Sequence, residues 1–406
     1  MSNHQYTMII FGATSFVGKI LTRYLLETLG TESDTPWAIA GRNQKKLDTL
    51  KEQLGPPAKN LVTFTADAHN EASLTELCNN TRVIISTVGP YALYGEPLVK
   101  ACAQSGTDYC DLAGEVPWIH AMIDKYEPIA QQSGARIVNA CGFDSIPSDM
   151  GVYHLQQAAQ QAFGKPCTTV KMRVKTLKGG FSGGTVASII NSVKAATNSA
   201  SLRQLLKDPF SLCPKGHSFS AVQFNVQSPR YDTDFSTWTA PFIMAGINTR
   251  IVHRTNALLN KQYGEAFKYD EAIITGDGSK GKKRALFLTL GLKSLLVGAV
   301  LKPTRWAMTS WLLPKPGEGP SQREQDNGRY ELLFHGTTDN GHFLKTRVTG
   351  DKDPGYGSTA KMLGQAALAI TTSKKRGGFW TPSTAFDLAF IDQLTNSAGL
   401  TFEVET

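Results

Sequence analysis

"MIIFGATSFVG", residues 8–18, decides how this chain folds. Apolar residues run straight into Gly12, and a second glycine, Gly18, follows six positions later. This is the outline of a strand, a tight turn and a helix. In such a unit glycines let a pyrophosphate approach the backbone, and the helix N-terminus offers free N–H groups and the positive end of its dipole. The glycine usual between the two is replaced by Ser15. A small residue suffices there if the pyrophosphate tilts slightly, and the hydroxyls of Ser15 and Thr14 are each suited to donate to a phosphate oxygen. Phe16 opens the helix and covers the turn, while Gly18 lets helix meet sheet. Gly12, Ala13, Thr14, Ser15, Phe16, Val17 and Gly18 are therefore candidate cofactor contacts. The alternative is a structural turn that holds no ligand.

The neighbouring segments repeat the pattern. "WAIAG" (37–41), "LVTFTA" (61–66), "RVIISTVG" (82–89), "DYCDLA" (108–113) and "ARIVNACG" (135–142) are short β-rich runs. Between them lie stretches with helical spacing, such as Val17, Ile20, Leu21, Tyr24 and Leu25. Near-continuous apolar strands are buried on both faces, which means a parallel sheet covered by helices. The spacing thus predicts an α/β fold, a doubly wound Rossmann-type sheet, over residues 1–150.

Ligands of such sheets sit at the carboxyl ends of the strands. The second strand ends at Arg42, with Lys45 and Lys46 one turn on, where an NAD-preferring site usually has an acidic residue. A guanidinium suits a phosphate dianion, so the expected cofactor is NADP(H), held through its 2′-phosphate. Asp67 follows the third strand, where the adenine edge would pass. After the fourth, Thr87, Val88, Gly89 and Pro90 bring backbone beside the nicotinamide ribose.

The candidate catalytic groups face the same crevice. Tyr91 and Tyr94 are candidate proton donors, Tyr91 alternatively packing against the nicotinamide ring. Glu115 and Asp144 are suited to act as an acid or to hold a substrate, and Ser145 to donate to an oxyanion. For "DSIPSD" (144–149) the structural alternative is helix capping, with Pro147 in the first turn.

Composition narrows the class. The 406 residues are 41% hydrophobic and 19% charged, as in a soluble globular protein of two domains. The N-terminus carries no basic patch followed by a long apolar stretch, so no signal peptide is expected. Six cysteines without a CxxC pair and eight scattered histidines predict reduced thiols in a cytoplasmic protein, with no disulfide framework and no metal site. The net charge of +8 is uneven: residues 1–150 carry 11 Lys+Arg against 16 Asp+Glu, and the remainder 31 against 18.

From about residue 150 the period changes. "TTVKMRVKTL" (168–177), "GRYELLFHG" (328–336) and "GHFLKTRVTG" (341–350) alternate as half-exposed strands do, the last two forming a hairpin across "TTDN" (337–340). "GGTVASIINSVKAA" (183–196) and "GSTAKMLGQAALAI" (357–370) have helical spacing. An α+β domain for substrate binding and homodimerisation is expected over 151–350. Within it, residues 280–315 hold eight Lys/Arg and no acid around an apolar run with Lys293 near its middle. That run is too short and too charged to span a bilayer. It fits a helix lying at a membrane interface through 285–311, a cover over an apolar substrate, or an ordinary buried helix. Its positive charge is joined to aliphatic residues rather than to spaced aromatics, so no nucleic-acid partner is expected.

"FGATSFVG", "AGR", "STVGPYALYGEPLVKACAQSGTDYCDLAGE" and "NACGFDSIPSD" together resemble the saccharopine dehydrogenase-like oxidoreductases. "LLPKPGEGPS" (312–321), "TGDKDPGYGSTAKMLGQAALAI" (349–370) and "GGFWTPSTAF" (377–386) resemble the trans-acting enoyl reductase branch. The resemblance covers nearly the whole chain. It implies a Rossmann domain, an α+β domain, a segment over 351–406 returning to the first domain, and NADP(H) chemistry. It also implies reduction of a C=C bond in an apolar enoyl substrate, carried as a thioester. A saccharopine-type amino-acid or imine dehydrogenase and a non-catalytic NADP-binding protein at a membrane surface are the alternatives.

Overall fold

The computed structural model describes residues 4–179, 183–300 and 319–405. Its first sheet grows from the opening stretch. β1 (Tyr6–Phe11) runs parallel to β2 (Trp37–Gly41) on one side and β4 (Thr81–Ser86) on the other, with Ile9 opposite both Ala38 and Ile84. β3 (Val62–Thr65), β5 (Asp108–Asp111) and β6 (Arg136–Val138) extend the two arms. Met8, Ile9, Ile10, Val83, Ile84 and Ile85 are fully buried. Helices on both faces enclose them, as unbroken apolar strands require.

β4 and β6 stop three and four residues earlier than their sequence predicts, β5 two and β3 one. β4 ends at Ser86, short of Gly89, where the chain enters the Pro90-led turn of helix Tyr91–Tyr94. β6 ends at Val138, short of Gly142, because the end of β5 takes over its partners. The Asp111 carboxylate accepts from Asn139 Nδ2 at 2.8 Å and from the Ala140 amide at 3.1 Å, and its carbonyl accepts from the Cys141 amide at 2.7 Å.

The second sheet comprises β7 (Thr169–Lys178), β8 (Arg230–Asp232), β9 (Thr237–Pro241), β10 (Lys268–Gly276), β11 (Arg329–Thr337), β12 (Phe343–Gly350) and β14 (Leu400–Glu405). Its order is β14-β12-β11-β7-β10-β9-β8, with β10 parallel to β7 and the other pairs antiparallel. The period-two segments form the expected β11–β12 hairpin. Helix Ile146–Phe163 leads from the first sheet onto the second, and a Cβ on its Gly151 would lie 2.4 Å from the Phe334 ring. Helices Gly183–Asn198 and Gly357–Thr372 stand where their spacing places them.

The chain after residue 350 serves both sheets. Helix Gly357–Thr372 packs on helix Phe16–Leu29 and on β4 and β5. β13 (Gly378–Trp380) adds a seventh parallel strand beside β6, giving the order β13-β6-β5-β4-β1-β2-β3. The chain then ends as β14 on the edge of the second sheet, beside β12. Helix Gly278–Val300 lies against β9 and β10, with Ala285 and Thr289 buried beneath it. The remainder of the 280–315 segment, and the "LLPKPGEGPS" motif up to residue 318, lie outside the described residues. No described helix is long and apolar enough to cross a membrane.

Candidate active site

The turn at residues 12–18 is built around two positions that admit no side chain. Gly12 has φ +91°, and a Cβ there would lie 2.6 Å from Val88 Cγ2; on Gly18 it would lie 2.3 Å from the Gly12 carbonyl oxygen. Ser15 needs no glycine, because its φ of −68° is open to any residue. It caps the helix: Oγ accepts from the Gly18 amide at 2.9 Å and lies 3.0 Å from Thr87 Oγ1. Thr87 in turn donates to the Gly12 carbonyl at 2.9 Å, so the Ser15 proton is directed at Thr87. The Ser15 hydroxyl is thus engaged inside the turn rather than turned toward a phosphate. What the turn presents is backbone: the amides of Phe16 and Val17 have no partner among the described residues. Close backbone and two free amides at a helix N-terminus fit the pyrophosphate of a dinucleotide.

A cavity of about 1150 Å³ opens at the carboxyl ends of these strands. It runs from Ser15, Phe16, Val17 and Thr87 past Gly89, Pro90 and Gly114 to an apolar wall of Leu206, Phe242, Met244, Ile247, Leu292 and Leu296. Ala13 and Val88 pack behind it, and Thr14 lies at the foot of β2 and its following turn. Tyr356, in the "PGYGST" motif, sets its ring edge on Phe16 with centroids 4.6 Å apart, and Thr359 donates to the Pro354 carbonyl at 2.7 Å. Both line the cavity. Neither Tyr356 nor Thr359 is expected at the site from its residue type alone. The signal was an aromatic between two glycines at the head of an apolar helix.

The expected catalytic residues separate into two groups. Glu115, Tyr91 and Asp144 line the cavity; Tyr94 and Ser145 do not. The Glu115 carboxylate accepts from the Tyr91 amide at 2.8 Å, the Ala92 amide at 3.0 Å and Ser188 Oγ at 2.8 Å. It holds the short helix after Pro90. The Tyr91 hydroxyl donates to the Ser86 carbonyl at 3.0 Å and accepts from the Leu112 amide at 3.1 Å, joining β4 to β5. Burial raises its pKa well above that of a free phenol. Tyr94 is half-buried with its ring edge toward His69, at 5.6 Å. Ser145 occupies the cap position of helix Ile146–Phe163 without capping it. Its hydroxyl donates instead to Asn248 Oδ1 at 3.0 Å, within a buried network that continues to Ser148, Glu271 and Tyr269.

Asp144 stands apart. Half-buried on the cavity wall, its carboxyl accepts from its own backbone amide and makes no hydrogen bond to another side chain among the described residues. Burial, reinforced by the Asp111 carboxylate, pushes its pKa up to about 7. Arg42 and Lys45 are exposed at and just after the end of β2 and form no ion pair among the described residues. The Asp67 carboxylate accepts from the His69 amide at 2.9 Å and shapes the turn after β3.

A trans-acting enoyl reductase of Mycobacterium ulcerans is 33% identical to this chain, over 97% of the chain and 96% of the relative. A Mycobacterium tuberculosis protein assigned by name to the same enzymes is 36% identical, over 98% and 97%. The chain belongs to the trans-acting enoyl reductase family. Residues 8–138 match the family model of the saccharopine dehydrogenase NADP binding domain, so the chain is of an NADP-dependent oxidoreductase family with NADP(H) as its cofactor. The apo saccharopine dehydrogenase (L-Glu forming) of Saccharomyces cerevisiae shares the fold, with a TM-score of 0.53 at 14% identity over 99% of this chain and all of that one.

Proposed function

We propose that this chain reduces the C=C bond of an apolar enoyl thioester, free or carrier-bound. The observation that carries the proposal is the cavity, which joins the glycine turn to a wall of aliphatic and aromatic side chains. Enoyl reduction is also what the mycobacterial relatives are named for. NADPH, when bound, supplies the hydride for the β-carbon. The amides of Phe16 and Val17 hold the pyrophosphate, and Arg42, with Lys45 nearby, holds the 2′-phosphate. Asp67 shapes the adenine side, and Thr87 to Pro90 the ribose side. The apolar wall aligns the acyl chain and excludes water. Asp144 delivers the proton to the α-carbon, since a carboxyl that titrates near neutrality is well matched to proton transfer at pH 7. Glu115 and Tyr91 position the loop beneath it.

The test is NADPH oxidation by the purified protein with a series of enoyl thioesters of increasing chain length, on small thiols and on carrier protein. Oxidation that increases with chain length is expected; none with any member overturns the proposal. A saccharopine-type dehydrogenase would need several buried cations for its carboxylates. Among the described residues lining the cavity, Arg250 is the one buried cation. Turnover with an amino acid and an oxo acid would replace the enoyl assignment by that one.

The outer face of helix Gly278–Val300 supports peripheral attachment to an anionic membrane. Phe287 is 77% exposed, with Leu286, Leu290 and Val297 exposed on the same side. Lys280, Lys282, Lys283, Arg284 and Lys293 are the charges of this stretch, and no acid falls between residues 279 and 298. Exposed apolar side chains ringed by cations are what such a surface holds. A homodimer joined symmetrically through this face would set those lysines against their own copies. Co-sedimentation with phosphatidylglycerol vesicles but not phosphatidylcholine vesicles is expected, with loss in the F287S/L290S double variant. Equal sedimentation with both lipids, or with neither, overturns the attachment.

A further inference from the structure

Four arginines are buried among the described residues: Arg136, Arg173, Arg250 and Arg254. Three have carboxylate partners. Arg136 pairs with Asp108, Arg173 with Asp232 at 2.7 Å and Asp270 at 2.6 Å, and Arg254 with Glu127 at 3.4 Å. None of these three lines the cavity. Arg250 does, and it is the one with no carboxylate within 4 Å among the described residues. Its Nε donates to Ser211 Oγ at 3.1 Å, one Nη to the Gly246 carbonyl and the other to the Leu206 carbonyl. A guanidinium has five N–H donors, so among the described residues one on each Nη is left over.

A buried charge without a counterion is costly, and folded proteins seldom keep one. Burial pushes the Arg250 pKa down, and Asp208, which opposes this through space, makes no ion pair with it. The surroundings add positive charge. Arg203 and Lys207, on helix Ala200–Lys207 beside Arg250, also line the cavity in exposed positions. One turn beyond Arg250 on helix Ala245–Leu258, His253 lines the same wall with Nε2 unpartnered among the described residues. The nearby apolar wall includes Leu206, Phe242 and Met244.

We infer that Arg250 is the floor of an anion subsite, which seats a carboxylate or phosphate carried by the otherwise apolar substrate. This rests on the proposed apolar substrate and adds that it bears one anionic group. Two sources would supply it: a carboxylate on the chain itself, or the phosphate of a phosphopantetheine arm or lipid headgroup. Arg203 and Lys207 supply the entry charge, and Arg250 receives the group inside.

The experiment measures binding rather than turnover, so it stands whether or not enoyl thioesters are reduced. Dodecanol below its solubility limit, and dodecanoate and dodecyl phosphate below their micelle concentrations, are titrated by calorimetry into the NADPH-loaded protein. At least one anion is expected to bind about tenfold or more tighter than the alcohol, the size of a charge-assisted hydrogen bond. R250M should erase that preference while leaving dodecanol affinity unchanged, and R250K should keep part of it. Preference for dodecanoate identifies a chain-borne carboxylate; preference for dodecyl phosphate identifies a phosphate source. Equal binding of alcohol and both anions by the unmodified protein overturns the subsite, as does a preference that persists in R250M. If R250M fails to fold, the comparison within the unmodified protein and R250K decides. Failure of the enoyl proposal appears separately, as anion binding without thioester turnover.

Discussion

The two ends of the cavity treat their polar groups differently. At the nucleotide end the protein's own backbone and side chains engage nearly every polar side chain: Ser15 with Gly18 and Thr87, Tyr91 with Ser86 and Leu112, Glu115 with Tyr91, Ala92 and Ser188. At the glycine turn itself, what remains for a ligand is main-chain N–H, with the exposed Arg42 and Lys45 side chains standing beyond it at the end of β2. Further in, two charged groups keep capacity in reserve, the Asp144 carboxyl and the Arg250 guanidinium. The pyrophosphate of a dinucleotide suits a rigid frame of amides, which needs the side chains around it locked. A substrate must be protonated and oriented by groups that have not been satisfied internally.

The contrast makes predictions that can break it. The largest effect is expected at Asp144. D144N removes the proposed proton donor and should lower kcat by about a hundredfold or more, with little change in thermal stability. In the unmodified enzyme the protonated fraction of Asp144 falls as pH rises through about 7, so kcat/KM should fall above that pH. A flat profile between pH 5.5 and 8.5 removes Asp144 from the chemistry.

Next comes R42D, which should weaken NADPH binding by about tenfold or more while leaving NADH binding within a few-fold, read from nicotinamide fluorescence. Equal loss for both cofactors would place the 2′-phosphate elsewhere. Y91F should show the opposite balance from D144N. Losing the bridge between Ser86 and Leu112 should cost about 1–3 kcal/mol of stability, while kcat in the folded fraction holds. A large fall in kcat with unchanged melting would make Tyr91 a chemical participant. The smallest effect belongs to S15A, which loses a helix cap worth about 1 kcal/mol. S15G should cost only a few tenths of a kcal/mol, and both should retain NADPH binding under the proposal that amides meet the phosphate.

Much of this was legible in residues 1–150, where near-neighbour physics decides the outcome. Continuous apolar runs must be buried on both faces, and a glycine under a crossing backbone announces itself, as Gly18 does. The hairpin over 329–350 was legible for the same reason, since period-two alternation is a local property. The roles of single polar residues were not. Ser15, Tyr91 and Ser145 all carry a hydroxyl suited to a ligand, and whether it faces outward depends on Thr87, Leu112 and Asn248, which stand 72, 21 and 103 residues away.

The sequence by itself thus determined the parallel sheet, the glycine turn, the cation at the end of β2 and the family. Tertiary structure alone decided which charges are satisfied. Arg136, Arg173 and Arg254 meet carboxylates that lie 28 to 127 residues away, and Arg250 meets none among the described residues. Hydrophobic burial follows from the local pattern of apolar residues. The neutralisation of a buried charge depends on where the rest of the chain brings its opposite, and no local pattern encodes that.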